Sequence, residues 1–139
     1  MTAPDERKLT DMLRDVGLRP TRQRLALAGL LFAHGDRHVT AEELHREAAE
    51  TGLSVSLATV YNTLNQFSDA GLLRQVITDG ARTFYDTNTR DHYHFYAEED
   101  GRLIDIPADQ IDLGRLPPPP DGARLAGVDV IIRLRKAGA

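Results

Sequence analysis

The chain has 139 residues, no cysteine and a formal net charge of −4 at pH 7. This length suits one ordinary domain or two small ones, and the lack of cysteine excludes disulfides, iron–sulfur clusters and thiolate zinc sites. No window approaches the roughly 20 apolar residues that span a bilayer, and the N-terminus lacks a basic region followed by an apolar stretch, so we expect a cytoplasmic protein without a membrane segment.

Helical segments fill the first half of the chain. Apolar residues recur at helical spacing in each segment, and a glycine follows each of them. The third segment opens with a capping box, in which the Thr40 hydroxyl accepts from the Glu43 amide. The predicted helices are residues 4–16, 21–35, 40–52 and 56–71.

The fourth helix has an unusual outward face. Its predicted outward residues are small, polar and uncharged, whereas a plain solvent face usually carries Lys and Glu; they are Ser56, Thr59, Asn62, Thr63 and Gln66. Such a face lets a helix enter a groove of DNA and offer hydrogen bonds to base edges. This pattern favours a recognition helix.

Two strands follow, in the stretch LLRQVITDGARTFY, and Asp79-Gly80 predicts the hairpin turn between them. Three helices and a two-stranded wing are the order of a winged helix-turn-helix. A generic three-helix bundle with a hairpin is the alternative. Four arginines before and within the second helix either contact phosphates or form a solvated face; they are Arg14, Arg19, Arg22 and Arg24.

The second half of the chain consists of short strands and turns. HYHFY, GRLIDIP and GVDVIIRLRK are strand-like, and the last alternates apolar and charged residues, which predicts one buried face. A short helix is predicted in PADQIDLGRL, and the prolines at 117–120 predict an extended connection. Because a sheet of about three short strands is marginal alone, we expect it to pair with a second copy.

Two histidines lie two residues apart in the first of these strands. Side chains at this spacing project to one face, so His92 and His94 can reach the same ion. Asp86 lies six residues earlier and Asp105 lies on the next strand. Imidazole with carboxylate suits iron(II), manganese(II) or zinc. The alternative is a pair of half-exposed strand residues that bind nothing.

Several motifs in order resemble the ferric uptake regulator (Fur) superfamily: GLRPTRQR, HVTAEELH, SLATVYNTLNQFSDAGLL, HYHF and GRLIDI. The resemblance implies an α+β fold with an N-terminal winged helix-turn-helix DNA-binding domain at residues 1–85. It implies a small α+β dimerisation and sensing domain at residues 86–139. It also implies a homodimer that binds double-stranded DNA at an AT-rich inverted repeat as a transcriptional regulator and is not an enzyme.

The resemblance also assigns roles to residues. The implied regulatory ligands for divalent iron or manganese are His38, Asp86, His92, His94 and Asp105. The implied or pattern-derived DNA-binding residues are Arg19, Arg22, Ser56, Thr59, Tyr61 and Asn62. For Tyr61 a place in the core is the alternative, and for Arg19 a surface position.

One family feature is missing. The family commonly holds a structural zinc with two CxxC pairs, and the positions of the first pair read Ala97 and Asp100. Cysteine-free chains of this kind resemble the iron response regulator (Irr) branch, which responds to haem or cellular iron. This resemblance implies haem as a further ligand, with His92 or His94 as the axial candidate.

Other functions stay open from the sequence. An iron(II)- or manganese(II)-dependent repressor, or a peroxide sensor, fits the same ligand set. Two histidines and a carboxylate also occur in non-haem iron enzymes. A haem or metal buffer without DNA contact is a further alternative.

Overall fold

The computed structural model describes residues 6–79 and 82–138. The chain divides into two compact units between Thr89 and Arg90. The elements of the first unit are α1 (Glu6–Asp15), α2 (Arg22–Phe32), β1 (His38–Val39), α3 (Ala41–Glu50), α4 (Leu57–Asp69), β2 (Arg74–Asp79) and β3 (Arg82–Asp86). Those of the second unit are β4 (His92–Ala97), β5 (Arg102–Pro107), a 3-10 turn (Ala108–Gln110) and β6 (Ile131–Leu134).

Side-chain caps set the start of three helices. The hydroxyls of Thr21, Thr40 and Ser56 each accept from the backbone amide three residues on. In the predicted capping box, the Thr40 hydroxyl also donates to the Glu43 carboxylate at 3.2 Å. Each cap satisfies an amide that has no partner within its helix, which fixes the first residue of the helix.

The helices of the first unit pack around one apolar core. α1, α2, α3 and α4 each contribute buried side chains, and strand residues complete the cluster. Its fully enclosed members include Leu13, Leu27, Leu31, Val39, Leu44, Val60, Leu64 and Phe67. The core therefore holds α4 rigidly by one face and leaves the other face exposed. Within the described residues, no helix is long and apolar enough to span a membrane.

The sheet of the first unit has three strands in the order β1-β3-β2, all antiparallel. The sequence predicted only the two strands of the wing, and the two-residue β1 was missed. It pairs His38 with Asp86 and Val39 with Tyr85. The predicted turn at Gly80 lies outside the described residues.

Arg37 anchors the segment that leads into β1. Its guanidinium donates to both carboxylate oxygens of Glu47, at 2.9 and 2.7 Å, and to the Leu30 carbonyl at 3.2 Å. Its backbone exchanges hydrogen bonds with Thr87, which extends the pairing of β1 with β3. The hydrogen bond from Arg37 to Glu47 raises the pKa of the guanidinium above its usual value. Arg37 thus joins α2, α3 and the sheet.

The second unit has a sheet in the order β5-β4-β6, with β4 antiparallel to β5 and parallel to β6. β4 is central, and its residues are buried on both faces at His92, Tyr93, His94 and Tyr96. The strand character of all three predicted segments is present. β4, which carries both histidines, therefore has β5 on one side and β6 on the other.

Two predictions for the second unit need correction. The last strand covers only Ile131–Leu134, and its predicted buried face is open, since Ile132 and Leu134 are each 37% exposed. The predicted short helix is a single 3-10 turn at Ala108–Gln110. Residues 111–130, including the prolines, form neither helix nor strand, and the segment has one turn at residues 121–122. Proline lacks the amide that regular pairing needs, which accounts for the extended run.

Replacing Arg37 should destabilise the first unit. We expect Arg37→Ala to lower its free energy of unfolding by about 1 to 2 kcal/mol, because the charged hydrogen bonds are lost from a partly exposed pair. Arg7→Ala, an exposed arginine of α1, is the matched control and should change stability by less than about 0.5 kcal/mol. Urea unfolding followed by circular dichroism measures both. Equal midpoints for the two variants would show that Arg37 contributes nothing.

Candidate metal centre and nucleic-acid interface

The second unit brings three of the predicted metal ligands together. His92 and His94 lie on one face of β4, with ring centroids 4.5 Å apart, and Asp105 stands opposite His94 on β5. The Asp105 Oδ1 lies 3.4 Å from the Nε2 of His94 and 3.8 Å from the Nε2 of His92. One potential ligand atom from each residue therefore lies within 4.8 Å of the other two.

A backbone contact fixes which nitrogen of His92 is available. The Nδ1 lies 2.7 Å from the Arg90 carbonyl oxygen. A carbonyl can only accept, so Nδ1 carries the proton, and the Nε2 of the neutral ring presents a lone pair. This Nε2 faces the Asp105 carboxylate. Histidines that bind metals are commonly oriented by such a hydrogen bond through the other ring nitrogen.

These donor atoms fit a small cation. A lone pair on the Nε2 of His92 and a carboxylate oxygen at 3.8 Å repel each other unless a proton or a cation lies near both. His92 and His94 are only 5% and 3% exposed, whereas the Asp105 side chain is 49% exposed, so water reaches the carboxylate but not the two rings. Nitrogen and oxygen ligands without sulfur suit iron(II), manganese(II) or zinc. The predicted alternative of half-exposed histidines is wrong, because both rings are buried.

The other two predicted ligands lie in the first unit and are cross-strand partners. His38 on β1 stands opposite Asp86 on β3 in the register of the sheet. The His38 ring also makes an edge contact with Phe84, at 6.0 Å between centroids. Asp86 is 1% exposed and accepts from the Asn88 amide at 2.9 Å. β1, which the sequence did not predict, is what places His38 beside this buried carboxylate.

α4 exposes a polar face that differs in part from the predicted one. Ser56, Asn62 and Gln66 are exposed, whereas Thr63 is buried and Thr59 is half-buried. The prediction that Thr63 faces outward is wrong, because this residue lies on the face that carries Val60, Leu64 and Phe67 into the core.

Ser56 and Thr59 interact with each other at the start of α4. The Ser56 hydroxyl accepts from the Thr59 amide at 3.0 Å and donates to the Thr59 hydroxyl at 2.9 Å. These two predicted DNA-binding residues therefore also form the cap of the helix. Loss of the Ser56 hydroxyl removes the capping contact, whereas loss of the Thr59 hydroxyl removes only the acceptor to which Ser56 donates.

Arginines border this face on the side of α2. Arg19 and Arg22 are exposed. Arg24 donates to the Arg19 carbonyl at 2.8 Å and to the Gln66 side-chain oxygen at 3.0 Å, so it joins α2 to α4. A cleft between the two helices is lined by Arg19, Thr21, Gln23, Arg24, Thr59, Asn62, Thr63 and Gln66.

Asn65 is an exposed residue of α4 that the sequence analysis missed. Its side-chain oxygen accepts from the Tyr85 hydroxyl at 2.9 Å and from the Gln75 amide at 3.2 Å. With the oxygen used by two protein donors, the amide group of Asn65 offers only its NH₂ donors to a ligand. The helical spacing of three from Asn62 is the sequence signal that could have identified it.

Tyr61 lies at the surface on the other flank of α4, so the alternative of a core tyrosine is wrong. It is 37% exposed, and its hydroxyl donates to the Glu42 carboxylate at 2.8 Å. This hydrogen bond lowers the pKa of Glu42 and raises the pKa of Tyr61. Tyr61 therefore keeps its proton, and Glu42 its charge, at neutral pH.

A winged helix-turn-helix unit followed by a small sheet with an imidazole and carboxylate cluster defines the class of metal-responsive winged-helix proteins. The chain belongs to the ferric uptake regulator family, whose model matches residues 15–115.

Relatives within this family are similar over most of the chain. The ferric uptake regulation protein of Vibrio cholerae is 34% identical over 101 residues, which are 72% of this chain and 67% of that protein. The peroxide-responsive repressor PerR of Staphylococcus epidermidis is 33% identical over 100 residues, or 72% of this chain and 66% of the relative. The ferric uptake regulator from Pseudomonas aeruginosa with manganese has a similar structure, with a TM-score of 0.72 and 27% identity, covering 93% of this chain and 98% of that one.

The α+β fold predicted from the sequence is confirmed by these likenesses. Membership of the Fur family is confirmed as well, whereas the Irr branch stays a prediction.

Replacing either buried histidine should weaken binding of a divalent ion. We expect His92→Ala and His94→Ala each to lower affinity for Co²⁺ or Mn²⁺ by about 100-fold, because each removes one nitrogen ligand. His34→Ala, which removes an exposed histidine of the first unit, is the matched control. Calorimetry with the metal-free protein measures the affinity. Unchanged binding by both variants would exclude this cluster as a metal site.

Proposed function

We propose that this protein is a DNA-binding transcriptional regulator that acts as a homodimer and responds to divalent iron or manganese. The observation that carries the proposal is the buried pair His92 and His94 with Asp105, in a chain whose α4 exposes uncharged polar side chains. The first feature suits a small cation, and the second suits the major groove.

The proposed regulatory site also includes His38 and Asp86. Both belong to the first unit, whereas the other three ligands belong to the second. We propose that an ion bound by these ligands changes the placement of α4. In a dimer, each α4 must meet its half-site at a set distance along the helix, so this placement controls affinity for an inverted repeat.

Dimerisation is proposed through the second unit. β6 is an edge strand with exposed Ile132 and Leu134, and Ile104 on β5 is also 37% exposed. Exposed apolar residues on a short edge strand favour pairing with another chain. An inverted repeat is the proposed operator, because a twofold dimer presents two identical recognition helices. Its AT-rich composition is proposed from the family resemblance alone.

Haem is the second candidate signal, and it rests on the cysteine-free sequence that resembles the Irr branch. Burial of His92 and His94 to 5% and 3% exposure favours a small ion over a porphyrin, which needs an open face beside its axial ligand. Peroxide sensing through bound iron is compatible with the same ligands. A non-haem iron enzyme is disfavoured, because the exposed face of α4 has no role in it.

The proposed function is tested by titrating the metal-free protein with Mn²⁺, Fe²⁺ or haemin while DNA binding is followed by gel shift. The probes are duplexes selected from a randomised library. We expect Mn²⁺ and Fe²⁺ to strengthen binding, because they favour the DNA-competent placement of α4. Haemin that weakens the complex, together with divalent ions that do nothing, would support the Irr function instead. A chain that retains no duplex under any condition would overturn the proposal.

His38 and Asp86 should couple the metal to DNA. We expect His38→Ala and Asp86→Asn to abolish the Mn²⁺-dependent gain in DNA affinity, while Mn²⁺ affinity falls by only about tenfold, because His92, His94 and Asp105 stay in place. His34→Ala is the control and should keep the full gain. Retention of the gain in both ligand variants would remove His38 and Asp86 from the proposed regulatory site.

Variants of α4 should affect DNA and leave the metal site unchanged. We expect Asn65→Asp to lower affinity for the selected duplex by at least about tenfold, because it replaces the outward NH₂ donors with a carboxylate that phosphates repel. Gln110→Glu makes the corresponding exchange of an amide for a carboxylate at an exposed residue outside α4 and is the charge control. Gel shift and Mn²⁺ calorimetry measure the two properties. Equal affinities of the two variants for the duplex would remove Asn65 from the interface.

A further inference from the structure

An acidic residue stands beside the proposed recognition helix. Glu42 is exposed in the first turn of α3, and its Oε1 lies 2.8 Å from the Tyr61 hydroxyl of α4. A carboxylate at a DNA-binding surface is repelled by phosphates, so its presence there needs a compensating role. Glu42 also lies next to the wing, since a cleft of about 340 Å³ is lined by Glu42, Arg46, Tyr61 and Arg82 together with Thr40, Glu43 and Thr83.

The contact with Glu42 determines what the Tyr61 hydroxyl can offer a ligand. A phenol has one proton to donate and lone pairs that accept. Because Tyr61 donates its proton to Glu42, its oxygen can only accept from a third group. Glu42 carries the negative charge that makes this hydrogen bond a strong one, and the contact restrains both torsions of the tyrosine side chain.

Base edges in the major groove differ in the groups that can use such an acceptor. Adenine offers its N6 amine and cytosine its N4 amine, whereas guanine and thymine offer acceptors at the corresponding positions. A tyrosine oxygen that only accepts therefore pairs with adenine or cytosine and repels the other two. A hydroxyl that is free to rotate would donate or accept and would discriminate less.

We propose that Glu42 is a specificity-determining positioning residue, which holds Tyr61 so that its hydroxyl accepts a hydrogen bond from an exocyclic amine of adenine or cytosine. This inference rests on the proposed function, since it requires that α4 bind duplex DNA. It adds Glu42 of α3 to the proposed interface. It also specifies that the Tyr61 hydroxyl accepts, and does not donate, the hydrogen bond to a base.

The experiment compares sequence selectivity, measured with the full chain and Mn²⁺. The wild-type protein first selects duplexes from a randomised library, and a scrambled duplex of the same composition is the reference. Selectivity is the ratio of the dissociation constants for the two. The variants are Glu42→Ala, Glu42→Gln, Tyr61→Phe and the double variant Glu42→Ala/Tyr61→Phe. Glu50→Gln removes one charge from the other end of α3 and is the matched control.

We expect Glu42→Ala and Tyr61→Phe each to lower selectivity by about tenfold, and the double variant to lower it no further, because both changes remove the same oriented acceptor. Glu42→Gln keeps an oxygen that accepts from Tyr61, so its selectivity should stay within about twofold of the wild type. The charge effect of this variant, and of Glu50→Gln, should alter affinity for both duplexes equally. Reselection with Glu42→Ala should relax the preference at one base pair of each half-site and keep the others.

Selectivity that survives Glu42→Ala, or additive losses in the double variant, would overturn the inference and leave the proposed function standing. Equal loss of selectivity in Glu42→Gln and Glu42→Ala would overturn it too, since charge rather than position would then be the cause. A wild-type chain that selects no sequence from the library would overturn the proposed function, and the inference with it. Thermal unfolding of each variant verifies that the first unit is folded.

Discussion

The antiparallel pairing of β1 with β3 is the constraint on which the first unit depends. Two residues form β1, yet they place Val39 in the core and His38 opposite Asp86. A strand this short is not stable through its own hydrogen bonds. Its position is secured by Arg37, which precedes it and contacts α2, α3 and Thr87. The placement of a proposed ligand therefore depends on a charged contact located one residue before it.

His92, Asn65 and Tyr61 are each oriented by a hydrogen bond within the protein. This bond occupies one donor or acceptor of the side chain and thereby determines whether the remaining group donates or accepts. The Arg90 carbonyl does this for His92, the Tyr85 hydroxyl and the Gln75 amide do it for Asn65, and the Glu42 carboxylate does it for Tyr61. Each side chain has rotational or tautomeric alternatives when isolated. The fold removes these alternatives before any ligand binds, which preorganises the proposed sites.

Local sequence rules predicted the helices well and the short strands unevenly. The capping box at Thr40 correctly predicted the start of α3, because a cap is a contact between residues close in sequence. β1 was missed because two residues carry no periodicity. The buried face predicted for β6 was wrong because its alternation of apolar and charged residues does not reveal what covers the apolar side.

In the candidate site, too, features set by residues close in sequence were predicted, and features set by residues distant in sequence were not. The spacing of His92 and His94 predicted a shared face, and the structure places both Nε2 atoms near Asp105. Their deep burial was not predictable, because it depends on neighbours from β5 and β6. On α4, helical periodicity identified Asn62 and Gln66 but assigned Thr63 to the wrong face. Helical spacing from Asn62 could have identified Asn65, but the hydrogen bonds that occupy its oxygen come from Gln75 and Tyr85, which are 10 and 20 positions away. The contact of Glu42 with Tyr61 spans 19 positions, and no local pattern indicates it.

The charge of the chain has a consequence for how the proposed regulator would work. With a net charge of −4, and Asp69 as the only charged residue of α4, attraction to phosphates is limited to local groups such as the exposed Arg19 and Arg22. Affinity then depends on base contacts made by a few oriented side chains and on simultaneous binding by two copies. Both contributions are sensitive to geometry, because a recognition helix displaced by one base pair loses all its contacts together. A modest displacement of a recognition helix would therefore have a large effect on DNA affinity. A strongly basic protein would retain much of its affinity through phosphates alone, and a bound ion would then have little influence.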